Sequence, residues 1–481
     1  MRRVFPILLL IGSALSVAPS AAAPAAATPL CGGSRSADFN GDGFSDLAVG
    51  VPREDVHGNA DAGFVNVIYG SQGGLTANGN LLLTASSAGE SVQPGDQFGS
   101  ALSAGDFNRD GAGDLAISMP FRDIAAVADA GEVVVLYGSQ GQGLAAAEVQ
   151  VFTQESDGIA DTAEPSDKFG WSLTVGDFDR SGACDLAVGV PYEDMGTVTD
   201  AGAVHVLYGA SGGLMTSGSN FLRQDSPGVV GVSEEDDNFG MALAAGNFGR
   251  GFATDLAVGA AQETVDGQQF AGAVNVLYGS GAGITTDHDQ MWTRGFHAVS
   301  GGAFGAELTA ADFGRSGHAD LAIGAPFAST STCCAGDVRV LYGTRWGLSA
   351  RHAQTWSPVV PGVPGDSHEG DGFGVALTAG NFGRSRRADL AIGSFNELRG
   401  GAVTVLYGGH SGLTTAGAQL WHHGTRGLEH PKAVGGFGSD LLAANFGRSF
   451  RSDLAIGALD DTVGGAPGPV RSTSSMGRRP V

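Results

Sequence analysis

Seven near-copies of one phrase recur along the chain: Asp46-Leu-Ala-Val-Gly, Asp114-Leu-Ala-Ile-Ser, Asp185-Leu-Ala-Val-Gly, Asp255-Leu-Ala-Val-Gly, Asp320-Leu-Ala-Ile-Gly, Asp389-Leu-Ala-Ile-Gly and Asp453-Leu-Ala-Ile-Gly. They stand about 68 residues apart on average. A fixed period marks a repeat architecture, in which each unit needs its neighbours to cover an apolar face. The 481 residues therefore read as one array, although length alone suggests about three domains.

The second repeat shows the unit. Phe98 to Ala104 alternates like a first strand, and Asp106 to Asp114 is a polar, glycine-bearing loop. Leu115 to Pro120 reads as a second strand, Gly131 to Gly138 as a third rich in β-branched residues, and Val149 to Thr153 as a fourth. Four strands per unit without helical periodicity predict an all-β fold, a seven-bladed β-propeller. Phe-Gly opens six of the units, at Phe98, Phe169, Phe239, Phe304, Phe373 and Phe437. Gln290-Met-Trp292, Gln354-Thr-Trp356 and Gln419-Leu-Trp421 mark fourth strands, where aromatics pack rather than bind. The last blade is incomplete, because no third strand follows Gly457. A six-bladed closure is the alternative, with the strand at Phe437 completing the blade begun by Asp46.

Residues 1–28 carry a charged start (Arg2, Arg3), a short apolar run and small residues near Ala21–Ala27. That is the pattern of an export signal, and the apolar run is too short to span a membrane. The propeller is expected over 29–460 and an irregular tail over 461–481. With no second apolar stretch of membrane length, the expected product is secreted, extracellular or held at a cell surface, and monomeric. The formal charge of −24, with Lys168 and Lys432 the only lysines, excludes a polyphosphate partner such as nucleic acid. Cys31, Cys184, Cys333 and Cys334 allow three pairings in an oxidising compartment, and their spacing selects none.

The loops before the repeated phrase carry the chemistry. In repeat one, oxygen side chains stand at loop positions 1, 3, 5 and 9, as Asp38, Asn40, Asp42 and Asp46, with Gly43 at position 6. The Phe44 carbonyl at position 7 is a backbone ligand candidate. Repeat two has Asp106, Asn108, Asp110, the Ala112 carbonyl and Asp114. Repeat three has a poorer set, Asp177, Asp179, Ser181, the Ala183 carbonyl and Asp185. Such cages suit Ca2+, which takes six to eight oxygens. An EF-hand needs Glu at position 12, where Val49 and Ile117 stand here. Repeats four to seven keep the final Asp but lose most other oxygens, so their loops are expected to be metal-free. In those loops the Asp is expected to cap backbone amides, and Arg387 or Arg451 to replace a cation.

Phe-Gly, the Asp-x-Asn-x-Asp-Gly-x-x-Asp loop and Gly-x-Pro (Gly50-Val-Pro52, Gly189-Val-Pro191, Gly324-Ala-Pro326) together resemble FG-GAP repeats. Such repeats build the propeller of integrin α subunits, and the resemblance spans about 37–460. It implies calcium-stabilised blades with the ions on one face: two full cages and a third weaker one.

No catalytic constellation stands out. Gly209-Ala-Ser211-Gly-Gly213 mimics a nucleophile elbow, but the same place in other repeats is a hairpin turn. The acidic segments around Asp366–Asp371, Glu234–Asp237 and Glu164–Asp167 read as solvated loops. Two functions remain: an integrin-like binding or adhesion module for an extracellular protein or glycan, and a non-catalytic or divergent propeller of a secreted hydrolase of phospholipase or esterase type. No segment outside the repeats has the length of a catalytic domain, which favours binding.

Overall fold

The computed structural model describes residues 7–11, 31, 37–144, 149–295, 299–328, 335–383, 385–426, 428, 436–447 and 451–458. They form an all-β propeller. Five sheets are four-stranded antiparallel meanders, and a three-stranded meander (Leu47–Val51, Phe64–Tyr69, Thr76–Leu83) makes a sixth blade at the start. A last, incomplete sheet pairs Phe437–Ala444 with Asp453–Ala458. On its outer edge Ile7–Ile11 lies parallel to Asp453–Ala458. The Phe437 strand thus pairs within its own repeat, and Leu47–Val51 pairs with Phe64–Tyr69. Blades are numbered one to seven below in chain order, the seventh being this incomplete sheet.

From blade two onward each second strand, such as Asp185–Val190, is buried at every position. It lies in the middle of its sheet with neighbouring blades on both faces, so an unbroken apolar run replaces alternation. The Phe-Gly openings supply the contact between blades. All six phenylalanines are fully buried. Gly99 has φ +91, and a Cβ there would come within 2.7 Å of Val65 Cγ2 of the preceding blade. Gly50 faces it, with a would-be Cβ 2.0 Å from the Gly99 carbonyl oxygen. The close approach of two backbones, rather than turn geometry alone, fixes both glycines.

A second set of bonds ties the outer strands. The Tyr208 hydroxyl donates to Asn220 in its own blade and accepts from Ile284 N–H of the next at 2.8 Å. Tyr137 and Tyr342 repeat this with Gln150 and Gln354, accepting from Leu214 and Leu413. The Gln of Gln354-Thr-Trp356 is therefore part of the joint, while Trp356 is buried beside it.

The ring closes where blade seven meets blade one. Leu47, Phe446 and Ala455 pack together there, and Ser45 N–H donates to the Asn445 carbonyl at 3.3 Å. Cys31 and Cys184 form a disulfide that ties the chain ahead of blade one to the loop of blade three. Cys333 and Cys334 lie outside the described residues, as do the tail 461–481 and most of 1–28. Among the described residues no helix is long and apolar enough to cross a membrane.

Candidate metal centre

The loops in question join the first and second strands of each blade, at one end of the propeller. In loop one the Asp38 carboxylate accepts from Asp42 N–H at 3.0 Å and Gly43 N–H at 2.8 Å. Asn40 Oδ1 accepts from Asp42 N–H at 2.9 Å, and Asp42 Oδ1 from Phe44 N–H at 2.9 Å. Loop two repeats the ladder: Asp106 accepts from Asp110 and Gly111, Asn108 from Asp110, and Asp110 from Ala112, all between 2.8 and 3.0 Å. These bonds curl each loop around its own Asp and Asn side chains. The Phe44, Ala112 and Ala183 carbonyls stand at the seventh position, two residues ahead of the closing Asp.

Loop three brings Asp177, Asp179 and Asp185 together, with one oxygen of each within 4.8 Å of the others. Asp179 accepts from Ser181 N–H at 2.8 Å, and Ser181 Oγ from Ala183 N–H at 3.2 Å. Asp177 Oδ1 is buried with no hydrogen-bond partner. A buried carboxylate oxygen without a partner, beside two further carboxylates, fits a hard cation, whose chemistry is oxygen ligation. The loop with the poorest sequence match is thus a place where carboxylates converge.

The closing Asp of each loop has a structural task. Asp114 accepts from Phe107 N–H at 2.8 Å and from Gly138 N–H, at the end of the third strand, at 2.9 Å. Asp46 does the same with Phe39 and Gly70, Asp185 with Phe178 and Gly209, and Asp389 with Phe382 and Gly408. Each oxygen keeps a second lone pair, so in loops one to three the same carboxylate remains able to ligate. Burial, reinforced by Asp106 and Asp110, pushes Asp114 up to about 8 despite its two N–H donors. A cation in the loop would relieve that cost.

In loops five and six a side chain from the following blade takes the centre. Arg387 pairs with Asp312 and donates to the Ser316 carbonyl at 2.6 Å. Arg451 donates to Asn381 Oδ1 at 2.7 Å and to the Ser385 carbonyl at 3.1 Å. Both arginines stand at the seventh position of their own loop and reach back one blade.

Three acidic segments read as solvated do not behave so throughout. Asp167, Asp237 and Asp371 are 1–2% exposed. Each accepts a backbone N–H from three residues earlier, Glu164, Glu234 and His368, at 2.6 Å, which folds its side chain inward. Their place two residues before Phe-Gly was the visible cue. The Ser211 turn is a hairpin between Ala203–Ala210 and Gly213–Leu222, as its repeat position indicates.

With this geometry in view, comparison with known proteins is specific. The FG-GAP repeat model matches residues 35–68, 98–136 and 169–207. Phosphatidylinositol-glycan-specific phospholipase D of Mus musculus is 37% identical over 157 residues, 33% of this chain and 18% of that protein. Integrin alpha-5 of Xenopus laevis is 31% identical over 230 residues, 46% of this chain and 19% of that protein. Integrin alpha pat-2 of Caenorhabditis briggsae is 31% identical over 239 residues, 46% of this chain and 17% of that protein. The chain thus spans about a fifth of the length of the curated relatives it matches. Repeat phrase, blade meander and loop agree: the chain is a β-propeller that carries FG-GAP repeats in its first three blades and is similar to integrin α subunits.

Proposed function

We propose that this chain is a secreted, calcium-binding propeller that serves as a binding or adhesion module for an extracellular protein or glycan. Calcium sits in loops one, two and three and stiffens one end of the ring. The other end, built from the connections between second and third strands and between blades, is the recognition face. The observation that carries this is a set of exposed apolar side chains spread over four blades. Val232 (64% exposed), Phe270 (40%), Phe327 (47%) and Leu398 (48%) stand on those connections across blades three to six, while Phe252 (85%) and Trp346 (66%) stand at the loop end. Large apolar groups held in water on loops of a rigid scaffold mark an interaction surface. The Cys31–Cys184 bond supports an oxidising compartment.

The test is a pull-down from extracellular and cell-wall extract, with calcium and with chelator. Binding that needs calcium and is lost when Phe270 and Phe327 become Ser is the expected result. Unchanged capture by that double variant sinks the assignment of the face. Chelation alone is expected to lower the melting temperature of the wild type by more than that of Asp42→Ala combined with Asp110→Ala and Asp179→Ala.

One observation favours a second reading, a propeller of a secreted hydrolase: the 37% identity to phosphatidylinositol-glycan-specific phospholipase D. A screen with esterase, phospholipase and glycosidase substrates separates the two. Turnover by the purified chain would displace the binding reading.

A further inference from the structure

We propose that the end of the propeller opposite the loop cages carries a second kind of hard-cation site, at the junctions of blades two with three and three with four. At the first junction Glu164, Asp167 and Glu193 each place a carboxylate oxygen within 4.8 Å of the others. Glu164 and Asp167 lie on the connection between blades, and Glu193 follows the second strand of blade three. Antiparallel strands put these connections at the end away from the first-to-second loops. The site therefore shares no residue with loops one to three and does not rest on them.

Two observations besides the acidity point to a cation. The first is Gln154. It is 2% exposed, and its Nε2 donates to Glu193 Oε2 at 2.6 Å, which holds the carboxamide against the carboxylates. Its Oε1 is buried and without a partner. A carboxamide oxygen stranded beside buried carboxylates is an unused ligand for a hard ion. The Gln, its Glu partner and the buried Asp recur at the next junction. Gln224, 1% exposed, donates to Glu263, its Oε1 is likewise orphaned, and Asp237 accepts from Glu234 N–H.

The second observation is a substitution within the chain itself. At the junction of blades one and two the position of Glu193 is taken by Arg122. Its guanidinium donates to Asp96, the counterpart of Asp167, at 2.6 Å and to Glu90 at 3.1 Å. The strand register aligns Leu83, Phe152 and Leu222, so the counterpart of Gln154 and Gln224 is Ala85. Where a side chain brings its own positive charge, both the Glu and the Gln are gone. Where it does not, no cationic side chain among the described residues pairs with the carboxylates, and the buried amide oxygen beside them has no partner. Without one, burial and the nearby carboxylates push Glu193 up to about 9 and Asp167 up to about 7. Oxygen-only ligands select calcium or a similar hard divalent ion over a transition metal.

The experiment counts ions bound to the full chain by equilibrium dialysis with calcium, with terbium luminescence as a second readout. Glu193→Gln and Glu263→Gln should each remove one ion per chain. The Asp42→Ala, Asp110→Ala, Asp179→Ala triple variant should still bind two. Glu193→Arg with Gln154→Ala copies the Arg122 junction. It should lose one ion yet melt in chelator at or above the wild type. If Glu193→Gln and Glu263→Gln melt like wild type in chelator and bind as many ions as it does, protons hold those carboxylates and the proposal falls. A triple loop variant that binds none overturns it equally. A loop triple that loses no ion, beside a Glu193→Gln that loses one, refutes the loop cages and leaves this site standing.

Discussion

His205 is the sharpest case of one residue set by its surroundings. It is fully buried in the third strand of blade three, stacked on Phe221 with centroids 4.8 Å apart and beside Phe169 at 5.6 Å. Neither ring nitrogen has a partner, and burial pushes its pKa down to about 3. The unfolded chain takes up this proton near 6.5 and the folded chain does not. Stability from the neutral ring is therefore complete above pH 6.5 and is lost as pH falls towards 3, by up to about 1.4 kcal/mol per pH unit. Buried carboxyls such as Asp255, held near 8 by desolvation, act with the opposite sign, so only a difference between variants isolates the histidine. His205→Val, which copies Val134 of blade two, should flatten the acid limb of a melting-temperature profile between pH 6 and 4. An unchanged limb would show that the ring is protonated in the fold. The closing Asp of each loop is a second such residue. Asp389→Ala strands two buried N–H groups, those of Phe382 and Gly408, and should cost about 2–4 kcal/mol with or without calcium. Equal calcium dependence of Asp389→Ala and Asp42→Ala melts would contradict the separation of scaffold from cage.

The loop is the element in which scaffold and chemistry meet. Loops five and six have exchanged oxygens for an arginine from the next blade, so their stability is expected to ignore calcium. Arg387→Ala leaves Asp312 without its partner. Both groups are 20–30% exposed, so screening limits the loss to about 1 kcal/mol. The melt should fall by the same small amount in calcium and in chelator; a variant that gains a calcium response would show that Asp312 had been a ligand in waiting. Much of this was legible in the sequence. The strand order, the Phe-Gly joints and the capping role of Asp46 through Asp453 follow from period and residue type, because each repeat tests the same local rule again. Arg387 could be named as a cation substitute, but not its target, since it acts across a blade boundary and not within its own loop. Asp167 and Asp237 were misread as solvated for a related reason. Their burial depends on Glu193 and Glu263, which arrive from a different connection some 26 residues later. The Cys31–Cys184 pair, 153 residues apart, was hidden by the same non-locality.

At the scale of the whole molecule, each blade is held by its two neighbours, and a ring is only as firm as its closing joint. Blades two to six are complete meanders joined by Phe-Gly contacts and tyrosine bridges. Among the described residues the joint between blades seven and one holds a buried cluster of only Leu47, Phe446 and Ala455, with Val49, Leu75, Leu442 and Ala444 partly buried against it, and a 3.3 Å backbone bond. Opening should begin there, because local stability follows the buried contacts that must be broken. The disulfide counters this by fixing the chain just ahead of blade one to the loop of blade three, across a separation of 153 residues. In the chain-entropy picture a loop of that length is worth about 5 kcal/mol. For a domain of this size that corresponds to a melting shift on the order of 5 °C. Reduction, or Cys184→Ser, should lower the melt by about that amount and change hydrogen exchange unevenly. Amides of Leu47–Val51 and Asp453–Ala458 should lose protection first, and those of Asp255–Ala260, deep in blade four, last. Uniform loss across all blades would mean that the ring opens as one cooperative unit and that the joint between its two chain ends is no weaker than the rest.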